Sequence, residues 1–183
     1  MKFCSECGQP LVQRVPPGED RLRDTCSVCG RVHYLNPRVV VGALATWEDK
    51  VLLCRRAIEP RQGLWTLPAG YLELAESTEE GAKREAWEEA LARIEVTALL
   101  ALYDLRHIDQ VQVFFAARLL DPQVAAGPES LEVGLFGWEE IPWAELAFPT
   151  VRRALHYHRQ VQGLASFPPD RGAGEEPCAG IGA

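Results

Sequence analysis

An α+β sandwich, with strands central and helices outside, preceded by a small cysteine-rich module, is the fold that this chain predicts. Three observations point to it. Four cysteines fall in two CxxC pairs near the N-terminus. After them, short apolar runs of strand character are interspersed with two helical patterns. The composition is globular, 47% hydrophobic and 25% charged over 183 residues, which suits one ordinary domain plus an appendage.

Cys4 and Cys7 sit in "CSECG" and Cys26 and Cys29 in "CSVCG", with 18 residues between the pairs. That is the spacing of a two-knuckle structural Zn²⁺ ribbon. Gly8 and Gly30 follow the second cysteine of each pair, where a tight turn points backbone amides at thiolate sulfur. Residues 1–35 are too short to have a core without their metal. Cys54, inside "VLLCRR", suits a small buried apolar residue, and Cys178 has no cysteine partner spacing either.

Pro37 in "YLNPRVV" forces an extended joint. "RVVVGALAT" and "KVLLCRR" predict two buried strands around a polar turn at Glu48 and Asp49. "RQGLWTLPAGYLE" is a loop punctuated by Gly63, Pro68 and Gly70. Ser77 with Glu80 three residues later is a capping box that starts a helix. Strands are then predicted at "ALLALYD" and "QVQVFFAARLL", the second with Val111, Val113 and Phe115 on one face, Gln110, Gln112 and Phe114 on the other. Tyr103 and Phe115 suit the core. "QVAAGPES" is a loop, "EVGLFGW" a strand, and "PTVRRALHYHRQV" a final helix with Pro149 in its first turn. From Gly163 glycine and proline accumulate, which predicts a loosely held tail. The expected organisation is thus 1–35, 36–162 and a tail at 163–183.

The net charge of −7 argues against a general nucleic-acid or membrane-surface binder, which would want a basic face. Residues 1–35 set four arginines and one lysine against Glu6, Glu19, Asp20 and Asp24, a near-balance without a phosphate-binding signal. No stretch approaches the roughly 20 apolar residues of a membrane span. Nor does "MKFCSECGQP" carry the apolar core of a signal peptide. The expectation is a cytoplasmic protein.

The chemistry concentrates in the first helix. Glu85, Glu88 and Glu89 stand at i, i+3 and i+4 and share one face. Ala82, Ala86 and Ala90, with Trp87, Leu91 and Ile94 beside them, make the side expected to face the sheet. Lys83 and Arg84 are the only bases before Arg93, so repulsion is poorly relieved along the helix. Three clustered carboxylates on a helix that must pack fit hard divalent cations such as Mg²⁺ or Mn²⁺, although three glutamates alone are more often a solvated face.

The spacing tilts that balance. Gly70, Glu76 and "REAWEE" from Arg84 to Glu89 follow the pattern G-x5-E-x7-R-E-U-x-E-E-x-G-U, with U apolar, which is the Nudix box. Ala86 and Ala92 fill apolar slots, and Leu91 stands where the box has glycine. From about residue 36 to 162 the chain resembles Nudix hydrolases, in an α/β/α sandwich with a mixed central sheet. With its ribbon, "GLWTLPAGYLE" and "PESLE", it resembles the plant-type FAD/ADP-ribose pyrophosphatases.

The resemblance implies that Glu85 and Glu89, assisted by Glu88 and the backbone carbonyl of Ala69, hold Mg²⁺ or Mn²⁺. Glu76 and Arg84 would be the pair that orients the helix. Glu132, with Glu129 as its rival, would be the downstream carboxylate that binds metal or takes a proton. The chemistry so implied is hydrolysis of the pyrophosphate in a nucleoside diphosphate derivative, FAD (to AMP and FMN) or ADP-ribose, by water attacking phosphorus in line. A homodimer is common in the family.

Arg55, Arg56 and Arg61 could reach phosphate oxygens, although strand alternation leaves Arg55 and Arg56 on opposite faces, so that one of the two is expected to do so. Trp65 and Tyr71 flank the box glycine and could stack a base or pin the loop. His33, His107, His156 and His158 show no partner spacing and suit surface or packing roles. NADH pyrophosphatases also join a zinc ribbon to a Nudix domain, but their SQPWPF-type array has no counterpart between Ala92 and Phe148. The proline that many ADP-ribose enzymes carry some sixteen residues past the box is missing around His107–Asp109, which weakens ADP-ribose more than FAD. A non-catalytic nucleotide-sensing module, its ribbon contacting nucleic acid or protein, would ordinarily have lost a box glutamate, and all are intact.

Overall fold

Strand pairing separates the chain into two sheets, described here for residues 2–173 of a computed structural model. Two compact units result, Met1–Pro37 and Arg38–Ala183. In the first, β1 (Leu11–Arg14), β2 (Arg23–Cys26) and β3 (Val32–His33) form an antiparallel three-stranded sheet in that order.

The second unit is built on a mixed sheet. Its strands are β4 (Arg38–Trp47), β5 (Lys50–Arg56), β6 (Trp65–Thr66), β7 (Ala69–Tyr71), β8 (Ile94–Leu105), β9 (Gln110–Leu119), β10 (Ser130–Phe136) and β11 (Asp170–Gly172), with helices α1 (Thr78–Ala90) and α2 (Pro149–Val161). The order is β10-β5-β4-β9-β8-β11. β4 runs parallel to β9 and β8 to β11, while the other neighbours are antiparallel. This is the expected α/β/α sandwich.

Both faces of the sheet are covered, and the strands show it. Along β4, Ala43 and Ala45 join the cluster that holds Ala82, Ala86 and Ala90 of α1, whereas Leu44 joins Val151, Ala154 and Leu155 of α2. On β9, Phe115 goes to the first side and Phe114 to the second. Two-sided burial explains why these strands are nearly continuous apolar runs.

One irregularity positions the site. β5 pairs with β4 only at Thr46↔Val51 and Trp47↔Lys50, next to the hairpin turn. It then diverges, and β7 takes the vacated edge of β4 at Val40↔Tyr71, Val41↔Gly70 and Gly42↔Ala69. The polypeptide from Trp65 to Tyr71 is thereby laid beside α1 as two short strands, where the sequence predicts a loop.

Three expectations need correction. Trp87 and Leu91 do not face the sheet; they are 50% and 40% exposed, because the short alanines alone let α1 approach the strands. β8 begins at Ile94, well before "ALLALYD": Ile94 and Val96 turn inward and alternate with exposed Glu95 and Thr97, and register shifts follow at Val96/Ala98 and Leu99/Ala101. The expected loose tail contains β11, held to the sheet by Arg153, whose Nε and Nη2 donate to Asp170 at 2.6 and 2.8 Å, and by the Tyr103 hydroxyl at 3.0 Å. Cys178 lies outside the described residues. No helix among the described residues is long and apolar enough to cross a membrane.

Candidate active site

The ribbon presents its four thiols to one another. The Sγ atoms of Cys4, Cys7, Cys26 and Cys29 all lie within 4.8 Å of each other, with Cys4–Cys29 at 3.7 Å and Cys7–Cys26 at 3.4 Å. Sulfurs on a tetrahedron with Zn–S of about 2.3 Å stand about 3.8 Å apart, so the donor set fits Zn²⁺ in number, kind and spacing. Gly8 and Gly30, at φ of 70° and 76°, close the knuckles with N–H bonds to the Cys4 and Cys26 carbonyls. Burial resists ionisation of Cys4, but the amides of Cys7 and Glu6 outweigh it and hold the thiol down to about 6. His33, expected at the surface or in packing, places Nε2 3.4 Å from Cys4 Sγ. The two-residue strand β3 brings it there, a contact that no sequence spacing signals.

The second site is built on α1. Ser77 Oγ accepts from the Glu80 amide, and the Glu80 carboxylate accepts from the Ser77 amide. That box fixes the helix phase, which turns Glu85 and Glu89 inward, where both are buried. Arg84 organises the acidic face. Its Nε and Nη2 clamp Glu76 at 3.0 and 2.7 Å, and Nη1 reaches Glu85 at 2.8 Å and Glu88 at 2.9 Å. The Arg84 guanidinium, helped by the Glu73 amide, pulls the Glu76 carboxyl down to about 2. Such a group orients and is not free to titrate.

Glu85 and Glu89 behave in the opposite way. Burial raises both, against the opposing bond from Arg84 at Glu85 and from the Ala69 amide (3.2 Å) at Glu89. Glu89 is pushed up to about 8, with the charges of Glu85 and Glu129 adding to the effect. Gly70 makes room: a Cβ there would stand 2.2 Å from Glu85 Oε1. Two buried carboxylates with so little counter-charge are a hard oxygen donor set that a divalent cation would stabilise. Among the described residues, however, only the cysteine sulfurs are already drawn together at ligand spacing, since Arg84 lies between Glu85 and Glu88.

These carboxylates form one wall of a cavity of about 890 Å³ that also reaches Arg56, Tyr71, Phe148, Thr150 and Glu129. Of the predicted residues, Ala69, Tyr71, Arg56, Glu85, Glu88 and Glu89 line it. Tyr71 is held by Gln110 Nε2 at 3.2 Å and by Arg38, 5.0 Å above its ring. Arg56 donates to the Pro60 carbonyl at 2.8 Å and lies over the Phe148 ring.

Four predicted residues lie elsewhere. Trp65 is buried in the core, edge-on to Phe136 at 4.9 Å. Arg55 is turned away by strand alternation, bonding the Gly63 carbonyl at 2.8 Å and Glu132 at 3.6 Å. Arg61 sits in the tight loop, where its carbonyl accepts from Leu64. Glu132 faces Arg55 across β10 and β5, and the carboxylate that enters the cavity is its rival Glu129. Glu129 is delivered by a loop that touches α1: the Ala125 and Gly127 amides donate to the carbonyls of Ala90 and Glu89. A Cβ on Gly127 would stand 1.7 Å from the Glu88 carbonyl oxygen, so only glycine allows that approach. The sequence shows this glycine but not its neighbour.

Fold and site define a hydrolase of the Nudix family, to which the chain belongs: the NUDIX domain family matches residues 36–158. More narrowly, it carries the zinc ribbon described as Nudix N-terminal, matched over residues 2–35. A crystal structure of a NUDIX hydrolase from Nitrosomonas europaea is similar at a TM-score of 0.89 and 46% identity, covering 94% of this chain and 98% of that one. An ADP-ribose pyrophosphatase of Methanocaldococcus jannaschii is 29% identical over 134 residues, 71% of this chain and 78% of that protein. The NAD-capped RNA hydrolase NudC of Stutzerimonas stutzeri is 32% identical over 135 residues, 72% of this chain. The chain spans about half the length of the NudC proteins that it matches, 46% in this case.

Proposed function

We propose that this Nudix hydrolase cleaves the pyrophosphate of a nucleoside diphosphate derivative, either ADP-ribose or a dinucleotide such as FAD or an NAD-type nucleotide, releasing a nucleoside monophosphate. The observation that carries the reading is the cavity in which Glu85, Glu88, Glu89 and Glu129 meet beside Arg56. Its volume of about 890 Å³ suits an extended ligand, and its similarity partners include enzymes named for ADP-ribose and for NAD-capped RNA.

Divalent cations such as Mg²⁺ or Mn²⁺, held by Glu85, Glu88, Glu89 and the Ala69 carbonyl, would neutralise phosphate oxygens and acidify a bound water. The chain's own residues then have separable tasks. Arg84 keeps the acidic face in register through Glu76, and Arg56 offers a planar fork to phosphate. Glu129, on its docked loop, accepts the proton from the attacking water as phosphorus is substituted in line. Tyr71 and Phe148 supply the flat apolar surface a base requires.

An assay of AMP release from FAD, ADP-ribose and NADH, side by side with Mg²⁺ or Mn²⁺, tests the reading. Turnover of at least one is expected. Glu85→Gln should cost at least about 100-fold, since each ~1.4 kcal/mol of lost transition-state stabilisation is tenfold, while leaving the melting temperature nearly unchanged. Turnover of all three at the blank rate would overturn the proposal.

A further inference from the structure

Trp87 of α1 and Leu91 at the helix C-cap depart from what packing wants, and at a spacing of four residues they are neighbours. Trp87 is 50% exposed, whereas the other four tryptophans are buried or half-buried. Leu91, one turn on, holds the left-handed conformation at the helix C-cap (φ 48°, ψ 28°), a position where glycine avoids the strain. Its side chain is also 40% exposed. Both line the large cavity, and both line a second cavity of about 390 Å³ bounded by Arg93, Asp121 and Gln123. They are therefore the shelf over which the acidic site continues into a second recess. In the lining of that recess Arg93 donates to Asp121 at 3.1 and 2.5 Å.

Building on the hydrolase reading above, we infer that Trp87 and Leu91 form a stacking shelf for the second ring system of a two-ring dinucleotide, and so set preference for dinucleotides over ADP-ribose. The occupant follows from continuity. Glu85, Glu88 and Glu89 line the same cavity as Tyr71 and Phe148 and as Trp87 and Leu91, so a ligand with its pyrophosphate at the carboxylates has an aromatic surface available to each of its two arms. A planar ring covers exposed tryptophan; a bare ribose cannot cover it comparably. The polar recess beyond suits ring-edge or ribose groups.

Trp87→Ala and Trp87→Phe should be compared on FAD, NADH and ADP-ribose. Losing an aromatic stack costs on the order of tenfold or more. Trp87→Ala is therefore expected to lower kcat/KM for FAD or NADH about tenfold, with ADP-ribose changed by less than about twofold, and Trp87→Phe should restore most of the loss. Equal losses on all three substrates, no loss, or no rescue by phenylalanine would overturn the shelf. Calorimetric titration of the same proteins with FAD and ADP-ribose in Ca²⁺ reads the shelf apart from turnover. FAD binding that weakens in Trp87→Ala would uphold it even if hydrolysis were absent, in which case the hydrolase reading alone would fall; unchanged or absent FAD binding would overturn it. So would a wild-type dimer that dissociates on Trp87→Ala without changing FAD binding, since the patch would then serve a second copy of the chain.

Discussion

Glu89 shows what it costs to keep a carboxylate ready inside a protein. It is largely buried, one backbone amide is its hydrogen-bond donor, and Glu85 and Glu129 repel its charge. Its pKa accordingly moves from 4.5 to about 8. Below about 4.5 the folded and unfolded chains both hold the proton, and Glu89 contributes no pH dependence. Between 4.5 and 8 the unfolded chain has released it while the folded chain retains it, so stability falls as pH rises; above 8 the penalty is complete. Glu89→Gln, with no proton to lose, should flatten this slope. Thermal unfolding in magnesium-free buffer at pH 5 and pH 8 measures it: the wild type is expected to lose more between the two than the variant, and added Mg²⁺ to narrow the gap at pH 8. An equal pH response in both proteins would show that Glu89 is not the strained group.

At the scale of elements, the site is an assembly of three pieces that satisfy one another. The capping box sets the phase of α1, β7 brings Gly70 and the Ala69 amide against its carboxylates, and the loop after β9 covers its far end. That loop donates two amides to helix carbonyls that would otherwise lack partners, and in doing so carries Glu129 into the cavity. Helix capping and placement of the fourth carboxylate are thus one structural event. Gly127→Ala should break both: the methyl must displace the loop from the Glu88 carbonyl, destabilising by about 1–3 kcal/mol as overpacking does and lowering kcat by more than about tenfold. Activity assays and thermal melts decide the matter. A destabilised variant with full kcat would separate the cap from the carboxylate.

Across the whole molecule, two metal chemistries are expected to be separable because their donors differ in hardness. The closed thiolate set of the ribbon should hold Zn²⁺ tightly, and the carboxylates of α1 should hold Mg²⁺ or Mn²⁺ loosely and mostly with substrate. Brief EDTA treatment should therefore abolish activity, and Mg²⁺ should restore it without zinc. Cys4→Ser should release zinc and unfold the first unit, whose antiparallel sheet of short strands has no core to replace the metal. Elemental analysis finding no zinc in the purified protein, or activity recovered by Zn²⁺ alone, would contradict this division.

What the sequence determined by itself is what depends on near neighbours along the chain. Two cysteines three apart followed by glycine make a knuckle wherever it is placed. Ser77 and Glu80 start a helix, and carboxylates at i, i+3 and i+4 then share a face without reference to the rest of the molecule. Continuous apolar runs such as "RVVVGALAT" signal strands buried on both sides, which is how β4 lies. Tertiary structure decided whatever depends on pairing between distant segments. Arg55 and Arg56 are adjacent, yet only the register against Trp65 and Glu132 sends Arg55 away from the cavity and leaves Arg56 in it. The irregularity between Ser130 and Glu132 breaks the alternation that would have ranked Glu129 and Glu132. Trp65 and Trp87 look alike in sequence, but one is buried edge-on to Phe136 and the other is left half exposed. β11 exists because Asp170 meets Arg153 and Tyr103, partners 17 and 67 residues away. Local geometry is set by covalent spacing and hydrogen bonds within a turn or two. Which side chains face the same cavity is settled only when strands choose their partners.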